Sequence, residues 1–296
     1  MKKVKILIPL FNDWKSVTKL LSEIDLQTNN WNAELSVVIV NDASIEQRPD
    51  IISNFKKIKS VKIFNMRENR MHQRCIATGL KYICENEDFD WIIIMDADGE
   101  DRPEELNDLF RKAQENHNKT ITGNRIKRSE GFIFKALYEL HKLLTLIFTG
   151  KSIKFGNFSC LPKNHVKQLI QKPYLWNSYS ASVVRSGNDR THISSIRGVR
   201  YVLPSKMNLA ALVFHSFSII SVFRKLVIIR SIIFFFIYFF LIFNNISTLT
   251  LTPILLVLVF VFTILKISMR SNMEEFKKSL DNIGSVDALP SSNNRQ

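Results

Sequence analysis

Cysteine is scarce in this chain of 296 residues: Cys75, Cys84 and Cys160 are the only three, odd in number, scattered and without metal-ligand spacing. That argues against a disulfide framework or a zinc site and fits small core residues in a reduced, cytosolic compartment. No internal repeat is visible, no recognised nucleic-acid motif, and no small-xxx-small stripe in the apolar segments. The N-terminus opens with Lys2 and Lys3 before an apolar run, as a secretory leader does. Yet Pro9 interrupts the run, Asn12-Asp13 follows at once, and no small-residue cleavage site appears, so a first β-strand is expected. Acidic residues are the minority, 27 Asp and Glu against 41 Lys and Arg, for a net charge of +14. The basic residues are spread along the chain, so an anionic partner is expected, either a membrane surface or a nucleotide diphosphate; nucleic acid is not.

What is present is concentrated in residues 90–101. The apolar run Trp91-Ile92-Ile93-Ile94-Met95 stops abruptly in four carboxylates, Asp96, Asp98, Glu100 and Asp101. Consecutive apolar side chains need both faces covered, as in the middle of a mostly parallel sheet. The carboxylates then lie at a strand's carboxyl end, where open α/β sheets bind ligands. Asp96 and Asp98 are two apart and point the same way from an extended strand end. Hard oxygen ligands so placed suit Mg²⁺ or Mn²⁺, and through it a diphosphate. The competing reading is an acidic loop capping the helix that begins at Arg102-Pro103-Glu104-Glu105-Leu106.

Strand-like runs at 4–10, 35–40, 61–64 and 91–95 alternate with helical patterns at 16–27 and 72–86. That order predicts a doubly wound α/β sheet with a nucleotide-binding half reaching to about residue 130. Residues 132–150 form an amphipathic segment with large apolar and basic faces, read either as a core helix or as a helix lying in the membrane interface. A second such segment spans 207–223. Residues 226–243 and 249–267 are apolar, each about long enough to cross a hydrocarbon core of roughly 30 Å. Only Asn244-Asn245-Ile246-Ser247-Thr248 separates them. Arg224, Lys225 and Arg230 flank the first run, and Lys266 and Arg270 the second, so the positive-inside rule predicts a hairpin with both outer ends and the globular domain in the cytoplasm. Arg230, near a helix end, is expected to snorkel. The domain plan is therefore a cytoplasmic domain at 1–205, a juxtamembrane interfacial helix at 206–225, two transmembrane helices at 226–268, and a polar cytoplasmic tail at 269–296 that is disordered beyond residue 284.

Other strand ends carry weaker signals. Asp42, after Val37-Val38-Ile39-Val40-Asn41, suits a base or ribose, or equally a turn cap. In Asn69-Arg70-Met71-His72-Gln73-Arg74, Asn69 is expected to cap a helix whose first turn would hold phosphates. His72 is a metal ligand, a base, or a hydrogen-bonded structural residue.

Six motifs in order resemble the family 2 glycosyltransferases of GT-A fold, over about residues 4–225. They are Ile8-Pro9-Leu10-Phe11-Asn12, Val40-Asn41-Asp42-Ala43-Ser44, Asn69 with His72-Gln73 and Gly79-Leu80, Asp96-Ala97-Asp98, Gly123-Asn124-Arg125 with Gly156-Asn157-Phe158, and Arg200 with Ser205-Lys206. Within the family the likeness is to polyprenyl-phosphate glycosyltransferases, the group that includes dolichol-phosphate mannose synthases and bacterial undecaprenyl-phosphate glucosyltransferases. The resemblance implies a mixed-sheet GT-A domain followed by interfacial helices and a transmembrane hairpin. It implies donor contacts from Pro9, Asn12, Asp42 and Asp96, and Mg²⁺ or Mn²⁺ on Asp96, Asp98 and Glu100. Asp98, Arg125, Arg200 and Lys206 would form the catalytic set, with the basic members and Ser205 gathering phosphates. The reaction implied is inverting transfer of a sugar from a nucleotide sugar to a polyprenyl phosphate at the cytoplasmic face of the cell membrane, for cell-envelope glycan synthesis. A family 2 transferase that elongates a lipid-linked or envelope glycan, and a non-catalytic nucleotide-sugar-binding module, are the alternatives; a homo-oligomer stays open. Three departures stand out. Asn157 sits where some bacterial relatives have an aspartate, Met71 where glycine is usual, and Val202 and Leu203 where Ala-Gly is usual. A lipid phosphate is already ionised at neutral pH, so Asn157 in place of a base does not forbid the reaction.

Overall fold

The apolar runs become strands because alternate side chains can be buried on both faces of one sheet. A computed structural model of the chain describes residues 1–49, 55–127, 132–202 and 209–289. The strands are β1 (Lys2–Leu10), β2 (Ala33–Asn41), β3 (Ile58–Met66), β4 (Trp91–Ile94), β5 (Thr120–Lys127), β6 (Phe155–Pro162), β7 (Arg190–Ile196) and β8 (Ile283–Leu289). They form one sheet in the order β7-β5-β6-β4-β1-β2-β3-β8. The strands β4, β1, β2 and β3 are mutually parallel, whereas β6 and β8 flank them antiparallel.

Period-two sorting is clean along β4. Trp91, Ile93 and Met95 enter one core with α1 (Trp14–Gln27) and α3 (Leu106–Glu115). Ile92 and Ile94 enter the other with α2 (His72–Asn86), α5 (Lys163–Leu169) and α6 (Tyr179–Arg185). Helix α2 lies so close to the sheet that a Cβ at Gly79 would come within 2.3 Å of Leu7 Cδ1 and 3.1 Å of Val40 Cγ2. Cys75 and Cys160 are buried and Cys84 is half-buried, all three as free thiols.

The chain divides into two compact units. The sheet unit comprises Met1–Ser129, Lys154–Lys206 and Met273–Gln296; the other comprises Glu130–Ile153 and Met207–Asn272. The 132–150 segment, drawn above within the first domain, thus groups with the later helices, and the last segment groups with the sheet. The expectation of disorder beyond residue 284 is overturned for residues 285–289, and residues 290–296 lie outside the described residues. After α10 (Met273–Lys277) the chain forms β8, which pairs antiparallel with β3 from Met66↔Ile283 to Val61↔Leu289. The polar residues Gly284, Ser285 and Asp287 hide the strand from a hydropathy reading, but the open edge of β3 supplies its hydrogen-bond partners. Phe276 anchors the return, 1 % exposed and stacked on Trp176 with ring centroids 5.4 Å apart, a burial that contributes roughly 1.5–3 kcal/mol.

The second unit holds α4 (Phe132–Thr149), α7 (Leu209–Ser221), α8 (Arg224–Ile242) and α9 (Thr248–Ser268). Its small core joins Ile220, Val227 and Ile264 with Leu144, Phe148, Phe217 and Phe260. Arg230 donates from Nη1 to the Ile147 carbonyl at 2.9 Å and so meets the negative end of α4 while staying exposed. Most apolar side chains of α8 and α9 point away from this core, including Phe236, Phe240, Leu255 and Phe262. These are two helices long and apolar enough to cross a membrane. A capping box of Ser247 and Thr250 starts α9 directly after the short connection.

Candidate active site

Because β1, β2 and β4 run parallel, the residues that follow them meet at one edge of the sheet. After β1, Asn12 turns into the left-handed region at φ 49° and ties two loops together. Its N–H donates to Ser44 Oγ at 2.8 Å, and its Oδ1 accepts from the N–H groups of Ile45 and Glu46 at 2.8 and 3.2 Å. After β2, buried Asp42 accepts from the N–H of Arg70 at Oδ1 (2.7 Å) and of Met71 at Oδ2 (2.9 Å). Asn69 is not the helix cap expected of it. Met71 occupies that position with no side-chain cap, while Asn69 donates to the Asp42 carbonyl at 3.1 Å. Met71 takes φ 74°, which glycine adopts without strain and an L-residue does not. Pro9, Leu10, Phe11, Asp42, Asn69, Met71, His72 and Cys75 line a cleft of about 250 Å³.

The acidic loop after β4 lies beside this cleft, joined to it through His72. Asp96 Oδ1 receives His72 Nε2 at 3.1 Å and Asn157 Nδ2 at 3.0 Å, and Asn157 itself lies 2.8 Å from His72 Nε2. Gln73 holds Asn157 Oδ1 at 3.3 Å and accepts the Tyr179 N–H at 2.6 Å, which fixes the start of α2 against the neighbouring strand and helix. Asp98 Oδ2 pairs with Arg200 Nη1 at 2.6 Å, and Arg200 Nη2 reaches Asp13 at 3.3 Å. Arg197 holds both oxygens of Glu100, at 2.8 and 2.6 Å. Arg125 pairs with Asp101 at 3.2 Å, and Asp101 also accepts the Asp96 N–H at 2.9 Å. Gly99, at φ 85°, lets the segment around Tyr201 lie directly on the loop: a Cβ there would be 2.7 Å from the Tyr201 ring.

The electrostatics follow from crowding. Burial, then the charges on Asp96 and Glu100, push Asp98 up to about 6. Burial and Asp96 push Asp101 up to about 7. Burial opposes ionisation of Asp96 too, but His72, Asn157 and Arg125 win and hold it well below the usual carboxylate range. Desolvation works against a charge on His72, yet Asp96, Asp98 and Asp101 outweigh it and raise its pKa. So dense an acidic set calls for positive charge. Among the described residues no three His, Cys, Asp or Glu side chains converge as a ready-made metal cage. The hard carboxylate oxygens of Asp96 and Asp98 are of the type that suits Mg²⁺ or Mn²⁺.

Of the residues expected in the site, Pro9 and Asp42 line the cleft, Asn12 ties its loops, and Asp96, Asp98, Glu100, Arg125 and Arg200 form one charged cluster. Arg125 and Arg200 are engaged with carboxylates. Lys206 and Ser205 lie outside the described residues. Asp13 and Arg197 were not anticipated. Each stands beside a residue that was expected in the site, Asp13 next to Asn12 and Arg197 three before Arg200, but neither position announces its partner.

The profile described as "Glycosyl transferase family 2" matches residues 5–172 of the chain. Among solved structures, mannosyl-3-phosphoglycerate synthase from Rubrobacter xylanophilus is similar with a TM-score of 0.53 and 11% identity, over 75% of this chain and 72% of that one. Glucosyl-3-phosphoglycerate synthase from Mycobacterium tuberculosis, in complex with Mn²⁺, UDP-glucose and phosphoglyceric acid, gives a TM-score of 0.52 and 10% identity over 76% and 80%. S. aureus TarS gives 0.50 and 14% over 96% and 54%. These likenesses establish a mixed α/β sheet of GT-A fold, and the profile match establishes that the chain belongs to glycosyl transferase family 2.

Proposed function

We propose that the chain is a membrane-bound, inverting glycosyltransferase that moves a sugar from a nucleotide sugar to a polyprenyl phosphate at the cytoplasmic face of the membrane. The observation that carries this reading is the presence, in one family 2 chain, of the acidic strand-end site and of α8 and α9 with their apolar side chains turned outward. At 1.5 Å per residue, the 19 residues of α8 and 21 of α9 span about 28 and 31 Å, the thickness of a hydrocarbon core. A soluble acceptor gives no reason for such a surface.

The cleft between Pro9, Asp42 and Met71 would take the nucleoside. Asp96 and Asp98 would hold a divalent cation such as Mn²⁺, the ion named in the M. tuberculosis complex. When bound, that ion supplies charge neutralisation for the donor diphosphate. Asn157, held by Gln73 and Asp96, neither takes nor gives a proton, which suits an acceptor phosphate that is already an anion. Arg125 and Arg200 are positioned to exchange a carboxylate partner for a phosphate, as guanidinium groups do at little geometric cost. Attack of the phosphate oxygen on the anomeric carbon, with the nucleoside diphosphate leaving from the opposite side, inverts that centre. Asp96→Asn is expected to lower turnover at least about 100-fold while leaving the protein folded and membrane-associated. Transfer at near the unmodified rate in that variant would sink the mechanism.

A further inference from the structure

Residues 273–289 return to the sheet after α9, and their polar side chains do not stop at the sheet edge. Asn65 on β3 donates from Nδ2 to Asp287 Oδ2 (3.1 Å) and Ser285 Oγ (3.0 Å) on β8. Its Oδ1 accepts from Asn41 Nδ2 at 2.9 Å. Asn41 Oδ1 accepts the Ser44 N–H at 3.1 Å, and Ser44 Oγ accepts the Asn12 N–H at 2.8 Å. An unbroken polar chain therefore runs from β8 across β3 and β2 to the loop that ties the cleft together. Arg48, in the following loop, also pairs with Asp287.

A second connection is independent of the first. Glu275 on α10 holds Arg74 with both oxygens, at 2.9 and 3.3 Å, and reaches Arg70 at 3.5 Å. Asn282 clamps the same loop. Its carbonyl accepts the Arg67 N–H at 2.8 Å, its Oδ1 accepts the Glu68 N–H at 3.2 Å, and its Nδ2 donates to the Glu68 carbonyl at 3.0 Å. Arg70 and Met71, next along that loop, are the residues whose N–H groups Asp42 holds at the wall of the cleft. Asn12, Ala43 and Met71, the non-glycine residues with positive φ among those described, all lie on the loops these connections reach. Such backbone persists only where the surroundings over-determine it.

We propose that the return segment, residues 273–289, is the frame that positions the donor-binding loops, with Asn65, Asp287 and Glu275 as positioning residues for the nucleotide. This rests on the reading of the cleft as the nucleotide-sugar site. None of the three touches the cleft, so their loss acts on donor affinity through Asn12, Asp42 and Met71 and leaves the reacting groups on Asp96 and Asp98 in place. Asn65→Asp keeps the acceptor for Asn41 but sets a carboxylate against Asp287. Glu275→Gln releases Arg74 and Arg70 from their ion pair.

The test is calorimetric titration of the full chain in detergent with UDP and with GDP in the presence of Mn²⁺, together with KM and kcat for the nucleotide sugar that supports turnover. Each variant is expected to raise Kd and KM about five- to tenfold with kcat within about twofold, as expected for a lost supporting bond. Glu275→Asp should recover part of the loss, and Lys59→Ala, on the exposed Lys59–Glu34 pair, should match the unmodified chain. Ser285→Ala removes a single neutral acceptor and serves if the charged variants fail to fold; it should raise Kd about twofold. Folded variants with unmodified Kd, or a loss confined to kcat, overturn the proposal while the transferase reading stands. An unmodified chain that binds neither nucleotide overturns the transferase reading and this inference with it.

Discussion

Met71 holds a backbone conformation that costs an ordinary residue on the order of 1–3 kcal/mol. Glycine would remove that strain but loosen the unfolded chain, so Met71→Gly is expected to raise stability by about 0.5–1 kcal/mol, read as an upward shift in thermal midpoint. A downward shift would mean that the Met71 side chain, half exposed beside the cleft, carries packing the backbone argument omits. At this scale the site was legible where chemistry dictates residue type at a fixed spacing. Asp96 and Asp98 could be found because carboxylates directly after a buried strand have few structural reasons to exist. The partners of each carboxylate were not legible. Arg197 and Arg200 come from a segment about a hundred residues away, and nothing local pairs them with Glu100 and Asp98. Asn69 misled because capping preference is a local rule: Asn69 Oδ1 does accept the Met71 N–H at 3.1 Å, but Asp42, from another strand, holds the N–H groups of Arg70 and Met71, and the helix starts only at His72.

Among the elements, β1 and β3 are both tied to the end of α2. Glu87 follows α2 and receives Lys5 Nζ at 2.6 Å and Lys62 Nζ at 2.7 Å. Burial alone would raise the Glu87 pKa, but these hydrogen bonds prevail and lower it below its ordinary value of 4.5. A carboxylate with a depressed folded pKa stabilises the fold fully above its unfolded pKa and loses that contribution as pH falls through the folded one. Glu87→Gln is therefore expected to cost about 1–2 kcal/mol at pH 7, and the difference from the unmodified chain should shrink as pH falls below about 4.5. Equal pH profiles for the two proteins would show that the lysine pair contributes nothing. The parallel strands and their helices were readable because their hydrophobic periods are long and unmixed. Strands β5, β6, β7 and β8 were not assigned as strands. Three of them, β5, β6 and β8, have antiparallel neighbours in the sheet; β7 runs half exposed along one edge, and β8 is polar. Its identity depends on an open neighbour rather than on its own sequence.

For the molecule as a whole, the chain order is sheet, helical, sheet, helical, sheet, and the second helical stretch, Met207–Asn272, which carries the membrane-type hairpin, both leaves from and returns to the sheet unit. A hairpin inserted from one side satisfies that order, since two crossings return the chain to the side it left. Cysteine placed at Asn245, in the connection between α8 and α9, is expected to react with an impermeant maleimide applied outside intact cells, whereas cysteine at Asn272 should react only after the membrane is opened. Both sites reacting from the same side would contradict the hairpin.

Transfer to a lipid phosphate is tested most simply by partition of the product. Nucleotide sugars carrying a radiolabelled sugar, offered to the full chain in micelles with undecaprenyl phosphate and Mn²⁺ or Mg²⁺, are followed into an organic phase. Label is expected in that phase with one of the donors, abolished by EDTA and by Asp96→Asn. Donor hydrolysis without organic-phase label for every sugar offered would contradict it and turn attention to an acceptor other than polyprenyl phosphate.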